Sequence, residues 1–268
     1  MKNNFEKLFK TTKPVIAMVH LPALPGSPLY NSKLGLNYIL ETAEKDLLAL
    51  QEAGVDAVMF GNENDRPYEF NANPASSSAM AYVIGALSNK ITVPYGVNVL
   101  WDPMSTIAVA ASTGAHFVRE IFTGTYASDM GYWNPDAGKA MRYRNSLSRE
   151  DLLMFYNISA EFAYSLDKRS VAERSKSVVF SSIPDAILVS GQITGESVVI
   201  SELQKVKNLI PHTPVLANTG VKIENVEDTL SIADGVIIGS SLKVDGNTWN
   251  AVDPIRASDF MNKVKSIR

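Results

Sequence analysis

PVIAMVHL (14–21), LNYILETAEKDLLALQEA (36–53) and VDAVMFGN (55–62) form a pattern that the rest of the chain repeats. The outer two segments are short apolar runs rich in β-branched residues, the signature of strands covered on both faces. The middle one carries Leu36, Ile39, Leu40, Ala43, Leu47 and Leu50 at helical spacing, an apolar stripe on an otherwise polar helix. Gly54 follows at once and suits the C-terminal stop of that helix. Strand, helix and strand in this order make one βα unit and the start of the next.

Outward from there, further runs begin at Val93 (VPYGVNVL), Ala115 (AHFVREI), Leu152 (LLMFYNI), Asp185 (DAILVSG), Thr213 (TPVLANTG) and Asp234 (DGVIIGS). The eight starts span 220 residues, so the seven intervals average about 31, the length of one βα unit. Helical patterns fall over 36–53, 74–89, 104–113, 135–147, 171–183, 198–210, 226–232 and 254–267. Eight strands alternating with eight helices predict the α/β class and a (β/α)8 TIM barrel, read as one domain over 1–268. A doubly wound open sheet is the alternative.

Hydrophobic residues make up 46% of the 268 positions and charged residues 20%, a globular composition. Lys plus Arg number 25 against 28 for Asp plus Glu, a net charge of -3 that lacks the footprint of a nucleic-acid binder. The absence of cysteine excludes disulfides, thiolate zinc sites, iron–sulfur clusters and Cys nucleophiles. Residues 1–13 are polar and charged, without the apolar core of a secretory signal. No stretch approaches the roughly 18 uninterrupted apolar residues of a membrane helix. The expectation is a soluble, cytoplasmic chain without membrane insertion or a nucleic-acid partner, and homo-oligomerisation stays open.

In a TIM barrel the active site lies at the carboxyl ends of the strands. That rule separates the three histidines: His20 ends the first strand, while His116 and His212 stand at or before strand starts. The seventh and eighth runs end in Asn218, Thr219 and Gly220 and in Gly239 and Ser240. Glycines there let the backbone approach an anion, and in many barrels these two loops bind a substrate phosphate. The alternative is that both glycines only relieve crowding at turns. Past the second run, Glu63 is a candidate general acid or base, with Asn62 and Asn64 orienting a substrate hydroxyl. A solvated loop that caps the next helix is the alternative.

Asn98 alternates with Leu100 and is expected to face the mouth, whereas Asp102 either contacts substrate or caps the helix that Pro103 begins. Arg119 and Glu120 are neighbours on a strand, so one should point into the barrel and the other toward the helices. Arg119 inward would hold a carboxylate or phosphate, or form a buried structural pair. Asn157 and Glu161, at the end of the fifth run, both come within reach of the mouth. The stretch 122–133, with Gly124, Tyr126, Ser128, Asp129, Gly131, Tyr132 and Trp133, suits a lid or a loop packed by its own aromatics. LPALPGSP (21–28) reads as a rigid wall of the site rather than as an SH3 ligand.

No lysine falls within or just after the first seven runs except Lys222, which disfavours a Schiff-base aldolase. A single histidine on the active face disfavours a multi-His zinc enzyme. Mg²⁺ held by carboxylates and a substrate phosphate is compatible with the sequence, which defines no metal site and implies no other cofactor.

PVIAMVHLPALPGSP (14–28), GVDAVMFGNEND, VPYGVNVLWDP, GAHFVREIFTGTYASDMG and the tail LANTGVKIENVEDTLSIADGVIIGSSLKVDG together resemble the BtpA family over nearly the whole chain. The pattern is closest to its SgcQ-type branch, whose relatives occur beside sugar phosphotransferase components. The resemblance implies a TIM barrel, and the family takes its name from a role in photosystem I biogenesis. Where the broader family tends to carry Asp-x-His-x-Lys-His, this chain has Asn157-Ile158-Ser159-Ala160-Glu161-Phe162.

The favoured reading is an enzyme of carbohydrate metabolism acting on a phosphorylated sugar or related phosphate ester by isomerisation, lysis or hydrolysis. Glu63 is the first catalytic candidate, with a carboxyl pKa raised by desolvation. His20 is the second proton carrier, expected to titrate near neutrality. Arg119 keeps one carboxylate ionised, and Glu161 stands in reserve. Two alternatives remain. One is a nucleoside- or glycoside-cleaving hydrolase that uses Glu63 and Glu161. The other is a non-enzymatic assembly or biogenesis factor, for which the mouth would lack a well-formed pocket.

Overall fold

The computed structural model describes residues 3–191 and 198–268; Met1 and Lys2 of the polar start lie outside the described residues. Eight parallel strands close into a barrel: β1 (Val15–His20), β2 (Ala57–Gly61), β3 (Tyr95–Asn98), β4 (Phe117–Glu120), β7 (Leu153–Asn157), β9 (Ala186–Val189), β10 (Val215–Ala217) and β11 (Gly235–Ile238). Around them lie α2 (Gly35–Ala53), α3 (Pro74–Leu87), α4 (Pro103–Thr113), α5 (Ala137–Ser146), α6 (Val171–Ser182), α7 (Ile200–Leu209), α8 (Val226–Ile232) and α9 (Pro254–Ile267). The closed ring excludes the open-sheet alternative. No helix among the described residues is long and apolar enough to cross a membrane.

Strand alternation sorts the core into two layers. Val15, Ala17 and Val19 pack outward against the helices, while Ile16 and Met18 join Met59, Phe117, Phe155, Leu188 and Ile237 inside the barrel. The sequence reading lacked the plug at the amino-terminal end. There α1 (Asn4–Leu8), closed by an Asn3–Glu6 capping box, buries Phe5, and Phe9 follows it into the barrel. The Phe9 ring lies 6.1 Å from Phe117, and Phe117 stacks on Phe155 at 4.9 Å.

At the opposite end, the stretch expected as a lid is a hairpin of β5 (Tyr126–Ser128) and β6 (Gly131–Trp133). A strand from the next βα loop, β8 (Ala163–Ser165), pairs with β5 to complete a small antiparallel sheet. Trp101, Tyr126 and Trp133 form an aromatic cluster beneath it, with Tyr68, Phe70 and Phe162 packed alongside. Trp101 meets Trp133 edge-on at 5.2 Å.

Candidate active site

The register of the first three strands sets the site. His20 pairs with Gly61, and Gly61 with Asn98, so three strand ends stand level at the mouth. Two residues beyond Gly61 the chain turns back, and the Glu63 carboxylate lies over that glycine. A Cβ at position 61 would press into Oε2 and stand 2.7 Å from Oε1. The missing side chain is what lets the carboxylate enter the barrel.

Glu63 Oε1 lies 3.6 Å from His20 Nε2 and 3.7 Å from Arg119 Nη2, both longer than hydrogen bonds. Its Oε2 is shut off from solvent with no hydrogen-bond partner. Arg119 points inward. Its Nε donates to Asn98 Oδ1 at 3.0 Å and Nη1 to Asn218 Oδ1 at 3.1 Å, while Nη2 also reaches Asn98 Oδ1. Asn98 Nδ2 donates to the Arg119 carbonyl and to Glu120 Oε1, both at 2.8 Å. Asn218 Nδ2 donates to Ser190 Oγ at 2.7 Å, and that hydroxyl donates to Asn157 Oδ1 at 3.1 Å. One polar network thus ties the ends of five strands and fixes the guanidinium.

Burial sets the protonation of the site. It pushes the Glu63 carboxyl up, against the pull of Arg119. It pushes Glu120 up to about 8, although the Ile121 N–H, Arg119 and Asn98 favour its anion. The expectation that His20 titrates near neutrality is corrected. Desolvation, with Lys243 and Arg119 adding positive charge, takes the imidazole down to about 3, so at physiological pH it is neutral.

A cavity of about 500 Å³ opens above this network. All four predicted catalytic residues, His20, Glu63, Arg119 and Glu161, line it. Asn98, Asn157, Asn218, Thr219, Gly220, Gly239 and Ser240 line it as well. Three predicted substrate contacts stand elsewhere. Asn62 is spent on the Leu100 N–H at 2.8 Å and on Asp65. Asp102 is the N-cap of α4, accepting from Met104 and Ser105 N–H, with its second oxygen on the Ala72 N–H. Asp129 sits exposed in the β5–β6 turn.

The strand-end rule missed Tyr68, Trp101, Glu120, Lys222 and Arg256, all in the cavity wall. Glu120 escapes the expected alternation because it ends β4, where its carboxylate turns back to accept from the Ile121 N–H at 2.6 Å. Trp101 Nε1 is a buried donor without a partner. Arg256 comes from α9, where nothing local in the sequence marks it. Among the described residues no three His, Asp or Glu side chains converge as a metal-ligand group.

The family model described as the BtpA family matches residues 11–266. The "Putative sgc region protein SgcQ" of Escherichia coli (strain K12) is 46% identical over 263 residues, covering 98% of each chain. The "Photosystem I biogenesis protein BtpA" of Synechocystis sp. is 34% identical over 256 residues, covering 94% of this chain and 88% of its own. Among solved structures, phosphoribosyl anthranilate isomerase from Thermus thermophilus matches with a TM-score of 0.58 at 12% identity, covering 95% of this chain and all of that one. A dihydropteroate synthase from Xanthomonas albilineans matches with a TM-score of 0.59 at 14% identity, covering 95% and 91%. At such identities the likeness is one of fold alone.

Proposed function

The chain belongs to the BtpA family, and from that premise we propose that its barrel mouth is the active site of an enzyme moving protons on a phosphorylated sugar or related phosphate ester. One observation carries this reading. Glu63 is a buried carboxyl held toward its neutral form, with Oε2 unclaimed and an arginine fixed 3.7 Å away. A carboxylic acid kept neutral can donate a proton, and the adjacent guanidinium stabilises the carboxylate left behind. His20 stands beside it as a neutral imidazole, 3.6 Å away, and not as a resting imidazolium.

The phosphate end of the reading rests on the backbone at Gly220 and Gly239 and on Ser240, whose hydroxyl meets Thr248 Oγ1 at 2.6 Å and would have to exchange that partner for a phosphate oxygen. Asn218 is engaged by Arg119, and Thr219 Oγ1 accepts from the Gly191 N–H at 2.6 Å. Lys222 and Arg256 are the cations of the cavity wall beside Arg119, and they share it with Glu224, Asp245 and Asp259. A formed cavity of about 500 Å³ also runs against the assembly-factor alternative, which expects none.

The test is a thermal-shift panel of sugar phosphates and inorganic phosphate, followed by proton NMR of the binders in D₂O. At least one sugar phosphate should raise the melting temperature and be turned over or take up deuterium at carbon. Glu63→Gln should retain the thermal shift and lose about 10²- to 10⁴-fold in rate. Near-normal turnover in that variant, or a panel in which no phosphate compound binds, would refute the proposal.

A further inference from the structure

A second cavity, of about 380 Å³, opens between the segment joining β1 to α2, the helix α2 itself, the loop after β2 and residues 243–251. Pro22 and Ala23 wall it, so the proline-rich stretch 21–28 borders this space and not the first cavity. Among the described residues only His20 lines both.

Four large apolar side chains stand around the opening. Leu29, Leu34, Tyr38 and Trp249 each leave between 43% and 53% of their surface exposed. Exposed apolar residues scattered singly need no explanation, whereas a group of them around one hollow marks a binding surface. Trp249 is held in place, because the Arg66 guanidinium lies 3.7 Å from the centre of its ring and covers one face.

Between these residues the wall carries neutral polar atoms that the fold does not use. Asn64 Nδ2 donates to the Leu21 carbonyl at 2.7 Å, and Asn250 Nδ2 donates to the Val244 carbonyl at 3.0 Å. Both amides are thereby fixed, and each Oδ1 is left without a partner among the described residues. The Thr42 hydroxyl, on α2, is uncommitted in the same way. All three residues are half-buried, and their three oxygens keep contact with solvent. Lys243 and Asp46 are the charged side chains of this wall among the described residues, and they are already spent. They face each other at 3.4 Å, with Lys243 also on the Asn250 carbonyl and Asp46 on the Val252 N–H. His20 is neutral.

An ionic ligand would find no free counter-charge here, and a wholly apolar one would leave the amide oxygens unpaired. A ligand with hydroxyl donors for those oxygens and a C–H face for an aromatic ring meets both conditions. We propose that the second cavity binds a neutral sugar ring. Its hydroxyls donate to Oδ1 of Asn64 and of Asn250 and share a hydrogen bond with Thr42, while one C–H face lies against Trp249. An apolar rim with a few fixed polar groups is the usual make-up of a small-molecule site. The site stands apart from the acid at the barrel mouth and does not depend on the reaction assigned there.

Saturation-transfer NMR and calorimetry on the whole chain test this, with glucose, galactose, mannose, xylose and ribose as probes. At least one should bind with a Kd of about 1 mM, ordinary for a ligand of about a dozen heavy atoms. Trp249→Ala removes the aromatic face, and Thr42→Trp fills the cavity from α2 without reaching the first. Each should weaken that binding by at least about 10-fold. If Thr42→Trp does not fold, Ala251→Trp fills the cavity from the side of residues 243–251. Glucuronate, which brings an unpaired negative charge, should compete at least about 10-fold more weakly than the best neutral sugar. A panel in which no neutral sugar binds below about 10 mM overturns the proposal. So does binding retained in Trp249→Ala or in a folded cavity-filled variant, which would place the sugar elsewhere, and so does glucuronate competing as well as the neutral sugar.

Discussion

Lys243→Met should be among the most damaging single changes outside the first cavity. The Lys243 and Asp46 side chains are each only 3% exposed. Asp46 Oδ1 also accepts from the Val252 N–H at 2.8 Å, and Lys243 Nζ donates to the Asn250 carbonyl at 2.9 Å. Methionine keeps the length and removes the charge, which leaves Asp46 as a buried carboxylate with one backbone donor. Breaking a buried pair from one side costs about 3–5 kcal/mol. For a chain of this size that corresponds to a fall in melting temperature on the order of 10 °C. Urea denaturation and calorimetry read both quantities. The double variant Asp46→Leu/Lys243→Met should regain most of the loss, because a well-packed apolar replacement for a buried pair is often neutral. The two single variants and the double close a thermodynamic cycle. A Lys243→Met protein within about 1 kcal/mol of the natural chain would refute the reasoning, since only solvent-exposed pairs are worth so little.

Gly61→Ala should act on the chemistry. The Glu63 carboxylate would have to retreat by about 1 Å to clear the new methyl group, and a misplacement of that size costs about 10²-fold in rate; the D₂O turnover assay reads it. The His20 imidazole should stay neutral, with no ¹⁵N titration from about pH 8 to 5, because burial has moved its protonation down to about 3. Stability should fall as pH rises from 6.5 to about 8. Glu120 is protonated there in the folded chain and ionised in the unfolded one, while His20 is neutral in both. Glu120→Gln should reduce the fall of the urea midpoint over that window, with Glu63, raised by the same burial, adding to what is left. Phe9→Ala should cost about 3–5 kcal/mol yet leave the thermal shift by sugar phosphates intact, because the plug lies at the far end of the barrel from the mouth.

The barrel was legible because each strand is buried on both faces and so reads as an unbroken apolar run, and each surrounding helix keeps one apolar stripe. The strand-end rule was enough to put His20, Glu63 and Arg119 at the mouth of the barrel. What escaped had no local period to read. The α1 helix is five residues long and holds one phenylalanine, with Phe9 just after it. The small sheet at the mouth uses three-residue strands, and its Tyr126–Ser165 pairing joins separate βα loops. The lowered pKa of His20 comes first from burial and then from Lys243 and Arg119, which only the closed barrel brings near it.

The two glycines at the mouth show where a reading from local sequence stops. Gly61 and Gly239 both look like turn signals at the ends of strands, and at neither is the backbone in the left-handed region that demands glycine. Each is instead the space that another side chain occupies: the carboxylate of Glu63 over Gly61, and the ring of His20 against Gly239. The first requirement is two residues away along the chain and could have been suspected from GNEND. The second spans the seam where the first strand pairs with the last, and it exists only once the ring of strands has closed. A methyl group at either position would strike the same acid–imidazole pair from opposite sides.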